Sequence, residues 1–135
     1  MAIQMSVALR NARLDATEAD IGTSPLLRVY SGSVPANVAA AATGTLLAEV
    51  TMPSDWMAAA SSGSKSKSGT WTDASADGTG TATYYRIYKS DGTTAALQGT
   101  VTMSGGGGDM IVDNTSFATG QPFTVTTYTW TEGNA

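Results

Sequence analysis

After residue 25, short runs of β-branched, aromatic and alternating apolar residues are interrupted by turn-forming residues at close intervals. The clearest runs are 26–31, 46–52, 81–89, 97–103, 110–112 and 123–131. Runs of this length, bounded by glycine, proline and Asp-Gly turns, are typical of strands joined as antiparallel hairpins. We therefore predict an all-β domain over 25–135, built as an antiparallel two-sheet sandwich or jelly roll.

Residues 6–21 carry the helical pattern of the sequence. Two adjacent apolar stripes recur at helical spacing, one made of Leu9, Ala12, Ala16 and Ala19 and the other of Val7, Leu14 and Ile21. Ser6 is a suitable N-cap, and Gly22 with Pro25 beyond it predicts the end of the helix. Because a short alanine-rich helix is marginal alone, we predict an N-terminal helical arm over 1–24 that docks on its own domain or on a neighbouring subunit.

The last predicted strand changes phase along its length. Phe123 and Val125 share one face of an ideal strand, whereas Tyr128 and Trp130 lie on the other. Either a bulge near Thr126 corrects the register, or both faces of the strand are covered. Coverage of the second face by another subunit would also satisfy the pattern.

A short motif recurs in two of the predicted strands. Residues 28–30 read Arg-Val-Tyr, and residues 86–88 read Arg-Ile-Tyr. In each strand the β-branched residue faces one side, and the arginine and tyrosine face the other. The repeat is either a chance product of strand composition or a pair of outward Arg–Tyr patches that can stack on a partner.

Charge and composition exclude several functional classes. The chain has 7 basic and 11 acidic residues, a net charge of −4, and charged residues make up only 13%. This acidic balance argues against nucleic-acid binding, and a surface poor in charge favours contact with other protein. Lys65 and Lys67 lie in a Ser/Gly-rich stretch, 61–69, which we predict to be a solvated loop or an edge strand. The N-terminus has neither a basic start nor a long apolar run, so we expect no signal peptide and no membrane span.

The residues that usually carry catalysis are missing or lie in turns. The chain contains no cysteine and no histidine, which removes thiolate chemistry and the most common proton carrier. Most of its aspartates stand beside glycine, serine or proline and are expected to form turns: Asp55, Asp73, Asp77, Asp91 and Asp109. The glycines at 105–108 lack the lysine of a phosphate-binding loop, and the spacing of Asp109, Asp113 and Asn114 matches no compact calcium loop. We predict no catalytic, cofactor or metal site and no enzyme activity.

Five aromatic side chains allow two interpretations. Trp56, Trp71, Trp130, Tyr84 and Tyr88 either fill the core or an interface, as large aromatic residues usually do, or line a shallow cleft that stacks on sugar rings.

Several stretches of the chain resemble small virion proteins of tailed bacteriophages. They are 6–15, 21–25, 28–33 with Pro35, 44–49 and 53–57. The likeness spans most of the chain and carries no catalytic motif. Virion proteins of this kind include jelly-roll decoration (cement) proteins, which sit over joints between major capsid subunits. The resemblance implies a structural protein of the capsid surface, made in the host cytoplasm, that binds the outside of the major capsid shell and stabilises it.

The expected partners are the major capsid protein and further copies of this chain, as a dimer or trimer. The residues expected at a partner interface are Val7, Leu9, Leu14, Arg28, Tyr30, Arg86, Tyr88, Tyr128 and Trp130. An alternative function is receptor or glycan binding within a tail fibre or spike, using Trp56, Trp71 or Trp130. A tail-tube or connector protein and a hydrolase are weaker alternatives.

Overall fold

One helix and ten strands follow one another along residues 3–133, the part of the chain that the computed structural model describes. The elements are α1 (Val7–Ile21), β1 (Leu26–Tyr30), β2 (Leu46–Thr51), β3 (Ser64–Ser66), β4 (Thr72–Asp73), β5 (Gly80–Thr81), β6 (Tyr84–Tyr88), β7 (Ala95–Thr102), β8 (Met110–Val112), β9 (Ser116–Phe117) and β10 (Phe123–Thr131). The predicted mostly-β class with a short N-terminal helix is confirmed.

Eight of these strands form one curled sheet. Its order is β2-β1-β6-β7-β8-β10-β3, and β4 also pairs with β10. β5 and β9 form a separate two-stranded ribbon. Neighbouring strands are antiparallel except β7 and β8, which are parallel. Because the described strands of the main sheet form a single continuous path, a division into two sheets packed as a sandwich or jelly roll stays a prediction.

The curled sheet brings its two ends together. Oδ2 of Asp73, at the end of β4, accepts a hydrogen bond of 3.2 Å from the backbone N–H of Glu49 in β2. Four residues later the N–H of Asp77 donates to the carbonyl oxygen of Leu47 at 2.8 Å. The loop after β4 therefore occupies the place of a neighbouring strand along β2, and the sheet encloses the core.

An aromatic cluster fills the centre of that core. The ring centroid of Trp56 lies 5.9 Å from that of Trp71 and 5.6 Å from that of Trp130. Tyr128 lies 5.5 Å from Trp71 and 5.4 Å from Tyr85. The tilted and edge-to-face arrangements are those that aromatic quadrupoles favour. Side chains from β6, β10 and the segment between β2 and β4 thus meet in one contact network, which we call the aromatic cluster.

Both predicted ends of the helix are confirmed. The hydroxyl of Ser6 accepts from the N–H of Leu9 at 3.2 Å, as an N-cap does. Gly22 ends the helix with a φ of +92°, which glycine adopts without strain. The carbonyl of Gly22 accepts a 2.9 Å hydrogen bond from the indole Nε1 of Trp56, so the end of the helix is tied directly to the aromatic cluster.

Only part of one predicted apolar stripe is buried. Leu14 and Ile21 are 5% exposed and pack inward. Val7, Leu9 and the three alanines of the other stripe face outward. The helix therefore docks on its own domain, and contact of its outer surface with a neighbouring subunit stays a prediction.

The phase change in the last strand is resolved by a bulge. The pairing of β10 with β8 shifts register between Val125 and Thr127, at the predicted position. Phe123, Val125 and Tyr128 are all buried as a result. The extra residue, Thr126, is exposed.

The turn at 90–93 forms as predicted and connects β6 to β7. The carboxylate of Asp91 accepts from the hydroxyl of Thr94 at 2.7 Å and from the N–H groups of Thr94 and Thr93 at 2.9 and 2.8 Å. These hydrogen bonds lower the pKa of Asp91 to about 2. The aspartate is therefore a turn former, as the sequence indicates.

Closure of the sheet predicts a specific glycine requirement. A Cβ at Gly78 would stand 2.6 Å from the carbonyl oxygen of Leu46, which is backbone and cannot easily move. We expect Gly78→Ala to lower the free energy of unfolding by about 2 kcal/mol or more. Gly133→Ala, whose Cβ would meet no atom within 4 Å, is the matched control. Urea unfolding checks both, and equal stability of the two variants would contradict the closure described above.

Candidate interaction surface

Most of the predicted partner contacts lie inside the chain. Leu14, Tyr30, Arg86, Tyr88 and Tyr128 are each at most 8% exposed. In this structure the chain itself covers these side chains, so they offer no surface to a partner. Of the remaining predicted contacts, Val7 and Leu9 are about half exposed, and Arg28 and Trp130 are partly buried.

The two Arg–Tyr motifs are neighbours in the sheet. β1 and β6 pair antiparallel with Arg28 directly opposite Arg86. The guanidinium of Arg28 lies 4.5 Å above the ring of Tyr88, and its Nε is 2.6 Å from the carboxylate of Glu49. Arg28 also donates to the carbonyl of Gly92 at 3.0 Å. Arg28 is therefore engaged with residues of its own chain on several sides.

Arg86 is covered by the loop that joins β1 to β2. Its NH2 group donates to the carbonyl oxygens of Ala40 at 2.6 Å and Asn37 at 3.3 Å. Its Nε donates to Gln98, whose amide nitrogen in turn donates to the carbonyl of Pro35 at 2.8 Å. The prediction that this arginine faces outward is wrong, because loop 33–44 folds over the sheet and its carbonyl oxygens bind the Arg86 guanidinium.

The tyrosines on the same face of β1 and β6 are also buried. The rings of Tyr30 and Tyr84 stack with centres 5.1 Å apart, and the hydroxyl of Tyr84 donates to the carbonyl of Thr43 at 2.7 Å. Burial raises the pKa of Tyr30 above its usual range. For Tyr88, burial acts in the same direction, but hydrogen bonds with Tyr30 and Arg86 prevail and lower the pKa. The tyrosines of both motifs are thus part of a buried polar network rather than a stacking surface.

The aromatic residues form no sugar-binding platform. Trp56, Trp71 and Tyr84 have no exposed surface, and Tyr88 is 7% exposed. The core interpretation is confirmed for these four side chains. Only Trp130 retains part of its surface in contact with solvent.

Lys65 lies in the interior, although the sequence predicts a solvated position for it. β3 pairs as an edge strand with β10, so the edge-strand alternative for 61–69 is confirmed in part. The Nζ atom of Lys65 is 2.6 Å from a carboxylate oxygen of Asp15 and 2.5 Å from one of Glu18. The lysine side chain is only 1% exposed, whereas that of Asp15 is 50% exposed. The three side chains form an ion triad that holds the helix on the sheet edge.

Further contacts orient the helix along the same edge. Asn11 accepts a 2.9 Å hydrogen bond from the N–H of Gly63. Arg10 donates to the carbonyl oxygen of Glu132, and Arg13 lies 3.0 Å from its carboxylate. The inner face of the helix is consequently committed to the domain, and only its outer face is free to meet another molecule.

The acidic residues considered as calcium ligands are engaged by main-chain donors. Asp109 accepts from the N–H of Thr100 at 2.8 Å, and Asp113 from that of Thr124 at 3.2 Å. Asn114 closes a local turn. Among residues 3–133 no three His, Cys, Asp or Glu side chains are grouped so that they could hold a metal ion. Within the same range no helix has the length and apolar character needed to cross a bilayer.

Three of the five exposed large apolar side chains of residues 3–133 lie near the start of that range, and the other two are Val34 and Met103. Ile3 is 87% exposed, Val7 47% and Leu9 50%. Leu9 continues into the exposed stripe of Ala12, Ala16 and Ala19. We call Leu9 and these alanines the outer helix surface; Val7 lies on the other side of the helix, in line with Leu14 and Ile21, and is exposed at the helix start. A continuous apolar surface on a monomer is a usual mark of a protein contact site, so this surface is the candidate site.

Two open clefts flank the strand β7. One, of about 590 Å³, separates the helix from the β6–β7 hairpin and is bordered by Thr17, Asp20 and Ala96. The other, of about 490 Å³, lies between Gln98 on β7 and Thr131 on β10. Both are shallow grooves next to strand edges.

Comparison with protein-family models, curated proteins and solved structures finds no match for this chain.

The ion triad predicts an asymmetric response to mutation. Asp15→Asn with Glu18→Gln leaves the buried ammonium of Lys65 without a counter-charge, and we expect a loss of about 3–5 kcal/mol in unfolding free energy. Lys65→Met leaves carboxylates that reach water, so we expect a smaller loss of about 1–3 kcal/mol. Urea unfolding measures both. A larger loss for Lys65→Met would show that the lysine is not the buried partner.

The same triad predicts a pH dependence. The hydrogen bond from Lys65 lowers the pKa of Asp15 below its ordinary value of 3.8. Its contribution to stability is therefore present above that pH and lost as the pH falls through the lowered pKa. Burial alone would lower the pKa of Lys65, but its bonds to Asp15 and Glu18 raise it. The contribution of Lys65 is present below about pH 10.5 and is lost as the pH rises through the raised pKa.

We accordingly expect the stability difference between the natural chain and Lys65→Met to be constant near neutral pH and to shrink at both extremes. Unfolding curves between pH 2 and pH 11.5 measure it. A difference that does not change below pH 3.8 would contradict the role given to Asp15.

Proposed function

We propose that the protein is a capsid decoration (cement) protein of a tailed bacteriophage, which binds the outer surface of the major capsid shell and stabilises it. The resemblance of residues 6–15, 28–33 and 53–57 to small virion proteins supports this assignment. The single structural observation that carries it is the outer helix surface, which the chain leaves uncovered although the rest of the helix is firmly docked.

The distribution of charge favours a protein partner. Charged residues make up only 13% of the chain, and two of the seven basic residues, Lys65 and Arg86, are buried. A surface with few charges loses little hydration when it meets another protein. Many copies, each burying roughly 1,000–2,000 Å² against the shell, would hold neighbouring capsid subunits together.

The proposal includes the architecture. We propose that the curled sheet is a jelly-roll-like sandwich, with β2, β1 and β6 in one layer and β8 and β10 in the other. In support, β7 pairs with both groups, and the residues between β4 and β5 connect back to β2. Catalysis is not part of the proposed function, because the chain has neither histidine nor cysteine.

Glycan binding in a tail fibre or spike is the competing function. Glycan binding requires an exposed aromatic cleft. Two of the three tryptophans considered for such a cleft, Trp56 and Trp71, are buried. Trp130 alone would have to carry the stacking contact. The burial of the other two makes capsid decoration the better supported proposal.

Binding to empty capsid shells that lack the protein tests the proposal. We expect Leu9→Glu to weaken binding about tenfold or more, since it places a charge in the apolar contact, and shells bearing the variant to burst at a lower temperature. Val34→Glu alters another exposed apolar side chain, 42% exposed, in loop 33–44 and is the matched control. Circular dichroism verifies that both variants fold.

Co-sedimentation with the shells gives the binding curve. Equal binding by the two variants would remove the helix from the interface. Failure of the natural chain to bind shells, together with binding to a glycan, would replace the proposal with its competitor.

A further inference from the structure

The curled sheet is missing part of a strand. β8 has three residues and pairs with β7 only at Val101 and Thr102. The flanking strands continue well past its start at Met110, with β7 beginning at Ala95 and β10 ending at Thr131. Ahead of Met110 no strand of residues 3–133 continues the line of β8. We call this vacancy, between 95–100 and 129–131, the slot; it contains the cleft of about 490 Å³ described above.

The edge of β7 that borders the slot has unused main-chain groups. The N–H of Val101 donates to Thr83 on the β6 side, and the N–H of Thr100 points to the opposite side, where it meets Asp109. Because main-chain groups alternate along a strand, the N–H of Gln98 points to the same side as that of Thr100. Within the described part of the chain, no strand pairs with β7 there.

The facing edge of β10 is open in the same way. The carbonyl of Tyr128 accepts from Lys67, and the N–H of Glu132 donates to Gly63, both on the β3 side. By the same alternation the main-chain groups of Thr129 and Thr131 point into the slot. Two parallel rows of donors and acceptors thus face each other with no strand between them.

The floor of the slot is preformed. The ring of Tyr85 passes over Gly99, where a Cβ would come within 2.8 Å of it, and its hydroxyl meets that of Tyr128 at 2.7 Å. Burial raises the pKa of Tyr85 far above its usual range, so this bond joins two neutral hydroxyls. The bridge connects β6, the neighbour of β7 in the sheet, to the β10 wall beneath the slot.

The ends of the slot define its length. Asp109 bonds to Thr100 at one end. At the other, the helix lies across the sheet, with Arg13 3.0 Å from Glu132 and Asp20 3.4 Å from Lys89. The wall of β7 between these limits is about five residues long, or roughly 17 Å. The slot therefore fits a short extended peptide.

The chain itself contains a segment of matching character. Residues 1–6, Met-Ala-Ile-Gln-Met-Ser, alternate large apolar with small or polar side chains and include no charged side chain. Ser6 has an extended backbone, and Ile3 is 87% exposed. Met5 accepts a 3.0 Å contact from Arg13 of its own helix, so Met5 lies beside that helix. Apart from Asp109, the residues that line the cleft within the slot are uncharged.

We propose that the slot binds residues 1–6 of a second copy of this chain as an added strand. The apolar side chains of the segment would face Leu97 and Trp130, and its main chain would bond to both walls, as in strand-addition complexes. The strand addition rests on the proposed function in one respect: the copies that it links would lie on a capsid shell. The strand exchange itself needs no shell.

Disulfide trapping tests the contact, because the natural chain has no cysteine and every disulfide must come from the introduced residues. Gln4→Cys in one protein is mixed with Thr129→Cys or Thr131→Cys in another and oxidised. We expect mixed dimers to form about tenfold or more faster than with Ala118→Cys, since docking raises the effective concentration of the two thiols. Ala118 is exposed in the turn before the opposite end of β10.

Amide hydrogen exchange supplies an independent pattern. As concentration rises, the N–H groups of Gln98, Thr129 and Thr131 should become protected, whereas those of Leu97 and Trp130, which already face paired strands, should not change. Ile3→Asp removes the exposed apolar anchor without touching the core and should abolish both trapping and protection.

Trapping no faster than with Ala118→Cys, or association that persists in Ile3→Asp, would overturn the strand exchange. Exchange without shell binding would reject capsid decoration and leave the slot assignment standing. Shell binding without strand exchange would reject the slot assignment and leave capsid decoration standing.

Discussion

The packing of the aromatic cluster around Trp56, Trp71 and Tyr128 is the interaction on which the rest of the structure depends. Several strands have only two or three residues, too few to persist without packing. The cluster supplies that packing: Trp56 holds the end of the helix through Gly22, and Tyr128 reaches across to Tyr85 beneath the slot. Tight aromatic packing at the centre allows the outer parts of the sheet to be short and rich in glycine and threonine.

Two of the seven basic residues, Lys65 and Arg86, are buried and stabilise contacts between elements. Lys65 holds the helix through two carboxylates, and Arg86 holds loop 33–44 through carbonyl oxygens. A buried charge must keep its partners, because removing them leaves an unsolvated ion. The exposed apolar residues of the N-terminal arm are conspicuous beside these internal contacts, since the domain has no internal role for them.

The arm and the slot are complementary features of one chain. Among residues 3–133 the sheet lacks an extended segment ahead of Met110, and the chain carries uncharged residues before Val7, of which Ile3 is 87% exposed. Ile3 is not part of the core, and we propose that the arm of one copy fills the slot of another. A protein that assembles in many copies gains from such a pairing, since each link is formed by main-chain hydrogen bonds.

Local signals determined much of this structure. The caps at Ser6 and Gly22, the Asp91 turn and the bulge at Thr126 are visible in the sequence because each depends on residues within a few positions of one another. The tertiary structure alone decided the rest. Lys65 meets Asp15 across 50 positions, and a distant loop covers Arg86, so neither burial is encoded in the local pattern. The slot likewise exists only because β8 stops short between two longer strands, and strand pairing is a property of the folded chain.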